Sequence, residues 1–163
     1  MKYCHQTTTS HSLSARYPQY LEAINKIISN ETTDENLLKI NAPFNNEVAL
    51  KLDKVKAEDE NVKDFKSMDI ALGMNNGEKK MLLVDLKLNC NGAKSLSQND
   101  CTNKIRGSKI ILFGGGIPVH NTYIYVFNNQ YLAKAEARHD ISRKLSNRSV
   151  EVLSIDELNE RYF

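Results

Sequence analysis

Residues 68–89 read MDIALGMNNGEKKMLLVDLKLN, and the way this stretch pairs with itself decides the fold. Two apolar runs, 68–72 and 81–88, flank a polar turn containing Gly77, the pattern of a β-hairpin. Asp69 interrupts the first run; Asp85 and Lys87 interrupt the second. Side chains alternate faces along a strand, so Asp85 and Lys87 share one side. A two-residue turn at Asn76-Gly77 would set Asp69 opposite Val84, on the wrong face. A three-residue loop, at 75–77 or 76–78, sets Asp69 opposite Leu83 or Asp85. It also gathers Ile70, Leu72, Leu82, Val84 and Leu86 on one apolar face. A one-residue slip would exchange the faces, so apolar matching selects the three-residue loop. The other face is then expected to carry two carboxylates and an ammonium.

Charges are rarely buried unless they are paired or bound to a metal. Carboxylate oxygens are hard ligands suited to Mg²⁺ or Mn²⁺. A lysine beside such a metal orients water or stabilises charge on a phosphate. Asp69 on one strand and Asp85-Leu86-Lys87 on the next resemble the motif of the PD-(D/E)xK nuclease superfamily, the fold of restriction enzymes and Holliday-junction resolvases. The resemblance implies a restriction-endonuclease-like core. It also implies metal binding by Asp69 and Asp85, and Lys87 assisting hydrolysis. Met68 stands where the motif name has proline. The bland reading is a surface hairpin with Lys87 salt-bridged to Asp69 or Asp85.

The chain of 163 residues is long enough for one domain with its own core. Its net charge of +2 supplies no global electrostatic footprint for nucleic acid, so any such surface must be a local patch. Cys4, Cys90 and Cys101 form no CxxC spacing and read as free thiols of a reducing compartment. No signal peptide or membrane-spanning run is present, which leads to the expectation of a cytoplasmic protein without membrane contact.

Residues 1–13 are polar and Ser/Thr-rich, and read as a loosely held tail with solvated His5 and His11. A single α/β domain is expected over 14–163, its core at about 44–128. Tyr17, Leu21, Ile24 and Ile28 predict an amphipathic helix over 14–29. A short helical turn over 34–40 follows, with Thr33 as its N-cap. The stretch 44–58 fits either period, and its strong helix formers favour helix. Ser95 or Ser97 caps a helix over about 96–113, which Gly107 weakens. Gly114-Gly115-Gly116 matches no phosphate-binding fingerprint. Residues 121–128, NTYIYVFN, predict a central strand. A helix over 131–147 and a strand over 150–153 come next. Ser154 with Glu157 forms a capping-box pattern for a last helix over 155–162. The order predicts an α/β fold with a mixed central β-sheet and flanking helices.

Small members of the resembled superfamily place a glutamate on a helix ahead of the hairpin. Glu47 is the candidate, with Glu22 as runner-up and a Glu47–Lys51 helix pair as the bland alternative. The superfamily also follows its lysine strand with a helix that lines the substrate groove. Gln98, Lys104, Arg106 and Lys109, with Lys94, would then meet nucleic-acid phosphates; a solvated helix face is the plain alternative. The leading expectation is thus a Mg²⁺- or Mn²⁺-dependent nuclease hydrolysing phosphodiester bonds in DNA or RNA, with Asp69, Asp85, Lys87 and Glu47 catalytic. The alternative is a non-catalytic protein of the same fold that binds nucleic acid, a protein partner or a second copy of itself.

Overall fold

The computed structural model describes residues 2–33, 43–134, 136–145 and 149–163. The helical turn expected at 34–40 lies outside them, as does the end of the helix expected over 131–147. The hairpin is strand β4, Ile70–Asn75, against β5, Lys79–Lys87. Ile70 opposes Val84, Leu72 opposes Leu82, and Asn75 opposes Lys79. The connection is therefore the three-residue loop at 76–78, with Gly77 at φ 86° taking the left-handed position.

Around this hairpin a seven-stranded mixed sheet assembles. On one side β3 (Val48–Lys51) pairs antiparallel with β4, and β2 (Leu21–Ala23) pairs antiparallel with β3. The two-residue β1 (Lys2–Tyr3) adds to the far end of β4. On the other side β6 (Val119–Phe127) and β7 (Val150–Ser154) run parallel to β5. Parallel neighbours require crossovers, which the helices supply.

Helices cover both faces. One core joins Ile70, Leu72, Leu82, Val84, Leu86, Ile124 and Val126 to α3 (Ile24–Glu31) and the last helix, whose residues Ile155, Leu158 and Tyr162 face inward. The second core lies on the opposite face, where Ala71, Leu83, Tyr123, Tyr125 and Phe127 meet four helices. These are α4 (Leu52–Glu58), α5 (Gln98–Leu112), α6 (Asn129–Leu132) and α7 (Ala137–Leu145). The face expected to be polar is thus largely a second hydrophobic core. The charged residues occupy only its end.

Several elements depart from the sequence expectation for physical reasons. The helix expected over 14–29 is broken into α2 (Ser12–Arg16), a 3-10 turn, strand β2 and α3. Its apolar residues serve different cores: Tyr17 packs on one face of the sheet, Ile24 and Ile28 on the other, and the chain changes face at β2. The ambiguous stretch 44–58 is both things in turn, strand β3 and then helix α4.

The expected N-terminal tail is instead built into the sheet through β1 and α1 (His5–Ser10), with Thr7, Thr8 and His11 buried. Thr8 Oγ1 accepts the Gly73 N–H at 2.8 Å, a polar contact that no hydrophobic pattern announces. The expected N-caps hold at both later helices. Ser97 accepts the Asp100 N–H ahead of α5. Ser154 and Glu157 complete a capping box ahead of α8 (Ile155–Tyr162). Among the described residues no helix is long and apolar enough to cross a membrane.

Gly107, expected to weaken α5, has a packing reason to be glycine. A Cβ there would lie 1.9 Å from the Lys66 carbonyl oxygen, whereas one at Gly92 would meet nothing within 4 Å. Alanine ordinarily gains about 1 kcal/mol over glycine inside a helix. At Gly107 the backbone clash outweighs that gain, and Gly107→Ala is expected to lose about 1–3 kcal/mol in urea unfolding. Gly92→Ala should be near neutral. Equal stability of the Gly107 variant and wild type would contradict the close helix–backbone packing.

Candidate functional site

The hairpin register brings Asp69 and Asp85 to the same end and the same face of the sheet. Asp69 immediately precedes β4, and the pairing of Ile70 with Val84 sets it level with Asp85. Lys87 is two residues further along β5 on the same face. The segment that delivers Asp69 is clamped by α5. Ser108 Oγ accepts the Met68 N–H at 2.8 Å, the Gly107 backbone sits against Lys66, and Lys66 pairs with Asp100 at 2.5 Å. Leu52 N–H donates to the Asp69 carbonyl at 2.9 Å, so the start of α4 holds the other side.

Asp85 has 0% side-chain exposure and contacts two ammonium groups. Its Oδ2 lies 2.6 Å from Lys87 Nζ, and its Oδ1 accepts from Lys104 Nζ at 2.6 Å. Lys104 Nζ is also 3.7 Å from Asp69 Oδ1, so one ammonium touches both carboxylates. Asp69 Oδ2 accepts the Leu86 N–H at 2.6 Å, which fixes the carboxylate against β5. Tyr125 is the neighbour of Asp85 on the parallel strand β6. Its buried hydroxyl lies next to the Cys101 thiol.

The electrostatics of the cluster follow from burial. Desolvation, reinforced by the charge of Asp85, pushes Asp69 up to about 6, although Lys104 and the Leu86 amide oppose the shift. Burial works against the charge of Lys104, but the two carboxylates outweigh it and hold its pKa above the ordinary lysine value. Burial, and then the Asp85 charge, raise Tyr125 and keep its phenol protonated. Asp69 is thus more readily protonated than an ordinary aspartate, chiefly because it is desolvated.

The other residues singled out from sequence fall elsewhere. Glu47 is not on a helix; it precedes β3, and its carbonyl accepts the Ile24 N–H. Leu52, whose amide meets Asp69, is five residues further along, about 15 Å of extended chain. The Glu47–Lys51 pair is not formed either, since Lys51 pairs with Glu22 at 3.3 Å. Glu22 also binds Lys26 at 2.7 Å and lies opposite Ala49, on the sheet face away from Asp85.

Gln98, Arg106 and Lys109 are exposed on α5. At 100° per residue each points well away from Lys104. Lys109 Nζ lies 5.1 Å from the Tyr123 ring centroid. Lys104 therefore belongs to the carboxylates, whereas the other three belong to a separate helix face. Sequence reasoning noticed Lys104 for its charge but had no signal for its direction. It missed Tyr125, whose place beside Asp85 depends on the parallel register of β6.

Among the described residues no group of three His, Cys, Asp or Glu side chains is placed to hold a metal ion. Comparison with family models, curated proteins and solved structures found no match.

The raised Asp69 pKa has a consequence for stability. Between the ordinary aspartate value of 3.8 and about 6, the folded state holds a proton that the unfolded state has lost. Stability therefore falls as pH rises through this window. Relative to Asp69→Asn, which lacks the titration, wild type is expected to lose about 1–3 kcal/mol between pH 4 and pH 7. Paired urea titrations across that range measure the difference. A flat difference would mean that Asp69 is not held in a charge-poor environment.

Proposed function

We propose that this chain is a metal-dependent phosphodiesterase acting on nucleic acid, built on a restriction-endonuclease-like core. The observation that carries the reading is the convergence of Asp69, Asp85 and Lys87 at one end of the central hairpin, on one face. A splayed, solvent-facing set would have favoured the plain salt-bridged hairpin. Here Asp85 is fully buried and Asp69 mostly so.

The donor set fits a hard divalent cation. Mg²⁺ is bound through one or two carboxylates, with waters and substrate phosphate completing its shell, so no third acid is required. Two hard oxygen donors stand level on one face, and Asp69 Oδ1 has no cation closer than Lys104 at 3.7 Å among the described residues. Asp69 and Asp85 would hold Mg²⁺ or Mn²⁺, which supplies polarisation of a phosphoryl oxygen and a lowered pKa for the attacking water.

The chain's own groups do the positioning. The Leu86 amide and the 66–68 clamp fix the Asp69 carboxylate. Lys87, whose ammonium rests 2.6 Å from Asp85 Oδ2, would turn it to the negative charge that develops on the phosphoryl group. Lys104 and Lys87 together neutralise the carboxylates in the protein, and the Lys104 ammonium would have to yield to a divalent cation. Tyr125, the β6 neighbour of Asp85, keeps its phenol protonated.

One observation favours a second reading, a non-catalytic protein of the same fold. Lys104 already satisfies Asp85 and reaches Asp69, as a structural ion cluster would. Activity separates the two. The proposal expects Mg²⁺- or Mn²⁺-dependent cleavage of DNA or RNA, abolished in Asp85→Asn with the circular dichroism of wild type retained. Lys87→Ala is expected to lower turnover by about 100-fold or more with little change in substrate affinity. Wild-type preparations that cleave neither substrate class with either metal, or equal cleavage by Asp85→Asn, would remove the hydrolytic reading.

Lys104→Met gives an independent check. Removing the competing ammonium should strengthen binding of the divalent cation, whereas a purely structural cluster would gain no metal affinity and lose stability by about 3 kcal/mol or more.

A further inference from the structure

The geometry points to a nucleic-acid track in the cleft past the end of β5, between residues 91–94 and helices α6 and α7, with Lys94, Lys134 and Lys144 as its phosphate contacts. This inference rests on the phosphodiesterase reading and names the surface that would hold the substrate.

The cleft lies at the right end of the sheet. Cys90 N–H donates to the Lys87 carbonyl at 3.0 Å, so the chain leaves β5 by a tight turn and enters the cleft wall at Asn91. Phe127, the β6 partner of Lys87, is followed directly by α6. Tyr131 and Ala137 line the cleft and belong to the same core as Leu83 and Tyr125. The cleft is therefore on the carboxylate face, at the carboxyl ends of β5 and β6, where open α/β sheets place their ligands.

Its charge suits a polyanion. Lys94, Lys134, Arg143 and Lys144 line it, against Glu136 and Asp140. Arg143 pairs with Asp140 at 3.3 Å. Lys94, Lys134 and Lys144 are exposed and make no ion pair among the described residues. Lys134 Nζ lies 5.7 Å from the Tyr131 ring centroid. The protein as a whole is close to neutral, and two buried carboxylates would repel an approaching phosphate. Lysines without an ion pair, in a groove at the same end and on the same face of the sheet as those carboxylates, offset that repulsion and extend the contact to neighbouring phosphates of the same strand. The exposed face of α5, with Arg106 and Lys109, points away from the carboxylates and does not lead to them.

Fluorescence anisotropy with labelled single-stranded and duplex DNA of about 16 nucleotides tests the track, in chelator so that nothing is cleaved. Wild type is compared with Lys94→Gln/Lys134→Gln/Lys144→Gln and with a control of equal charge change, Lys2→Gln/Lys54→Gln/Lys79→Gln. The track predicts that the cleft variant alone loses about tenfold or more in affinity at low salt. It also predicts that its slope of log K against log salt falls by about 2–3. That result supports the track even where added Mg²⁺ gives no cleavage, in which case only the hydrolytic reading falls. Unchanged binding by the cleft variant, in a protein that does cleave, would overturn the track and leave the hydrolytic reading standing. Equal losses in both variants, or no binding by wild type, would also overturn it.

Discussion

Asp85 is a fully buried carboxylate held between two ammonium groups, and the arrangement around it depends on that burial. A charge taken out of water is costly unless its partners are close and well oriented. Lys87 arrives on the same strand as a consequence of two-residue periodicity. Lys104 must come from a helix, and that helix must be pressed hard against the strand. The glycine at 107 and the serine at 108 make this approach feasible, the first by leaving no side chain and the second by accepting the Met68 N–H. The same contacts set the segment ahead of β4, and so fix where Asp69 stands.

The charge balance that results is uneven. Two carboxylates and two lysines sum to neutrality, yet Asp69 is pushed up to about 6 because it is largely desolvated and faces another carboxylate. A structural ion pair evolved only for stability has no need of that second acid. A site for a divalent cation would use both acids as ligands. Beyond Lys87 the cleft carries Lys94, Lys134 and Lys144, which make no ion pair among the described residues.

The hairpin was legible in the sequence because its two faces are unequal in chemistry. Ile70, Leu72, Leu82, Val84 and Leu86 could share a face only with an odd-length loop; that condition put Asp69 on the face of Asp85, and the loop at 76–78 sets the two level. The final helix was legible for a similar reason, a local capping box. What stayed hidden was set by distant contacts. Thr7, Thr8 and His11 are buried through polar and steric fit rather than hydrophobicity. Leu21 lies in a strand because the chain changes sheet face there. Lys104 carries the same charge as Arg106 and Lys109, and only the packing of α5 turns it inward. Glu47 satisfied a composition argument but stands beyond the far end of β3, out of reach of Asp69.

The central claim is that Asp69 and Asp85 together hold a divalent cation. Calorimetric titration of Mg²⁺ and Mn²⁺ into wild type and into Asp69→Asn/Asp85→Asn, with a short non-hydrolysable oligonucleotide present to complete the coordination shell, tests it most directly. The account predicts saturable binding by wild type, weakening as the pH is lowered through about 6, and none by the double variant. Binding of equal strength by both proteins, or by neither, would contradict it.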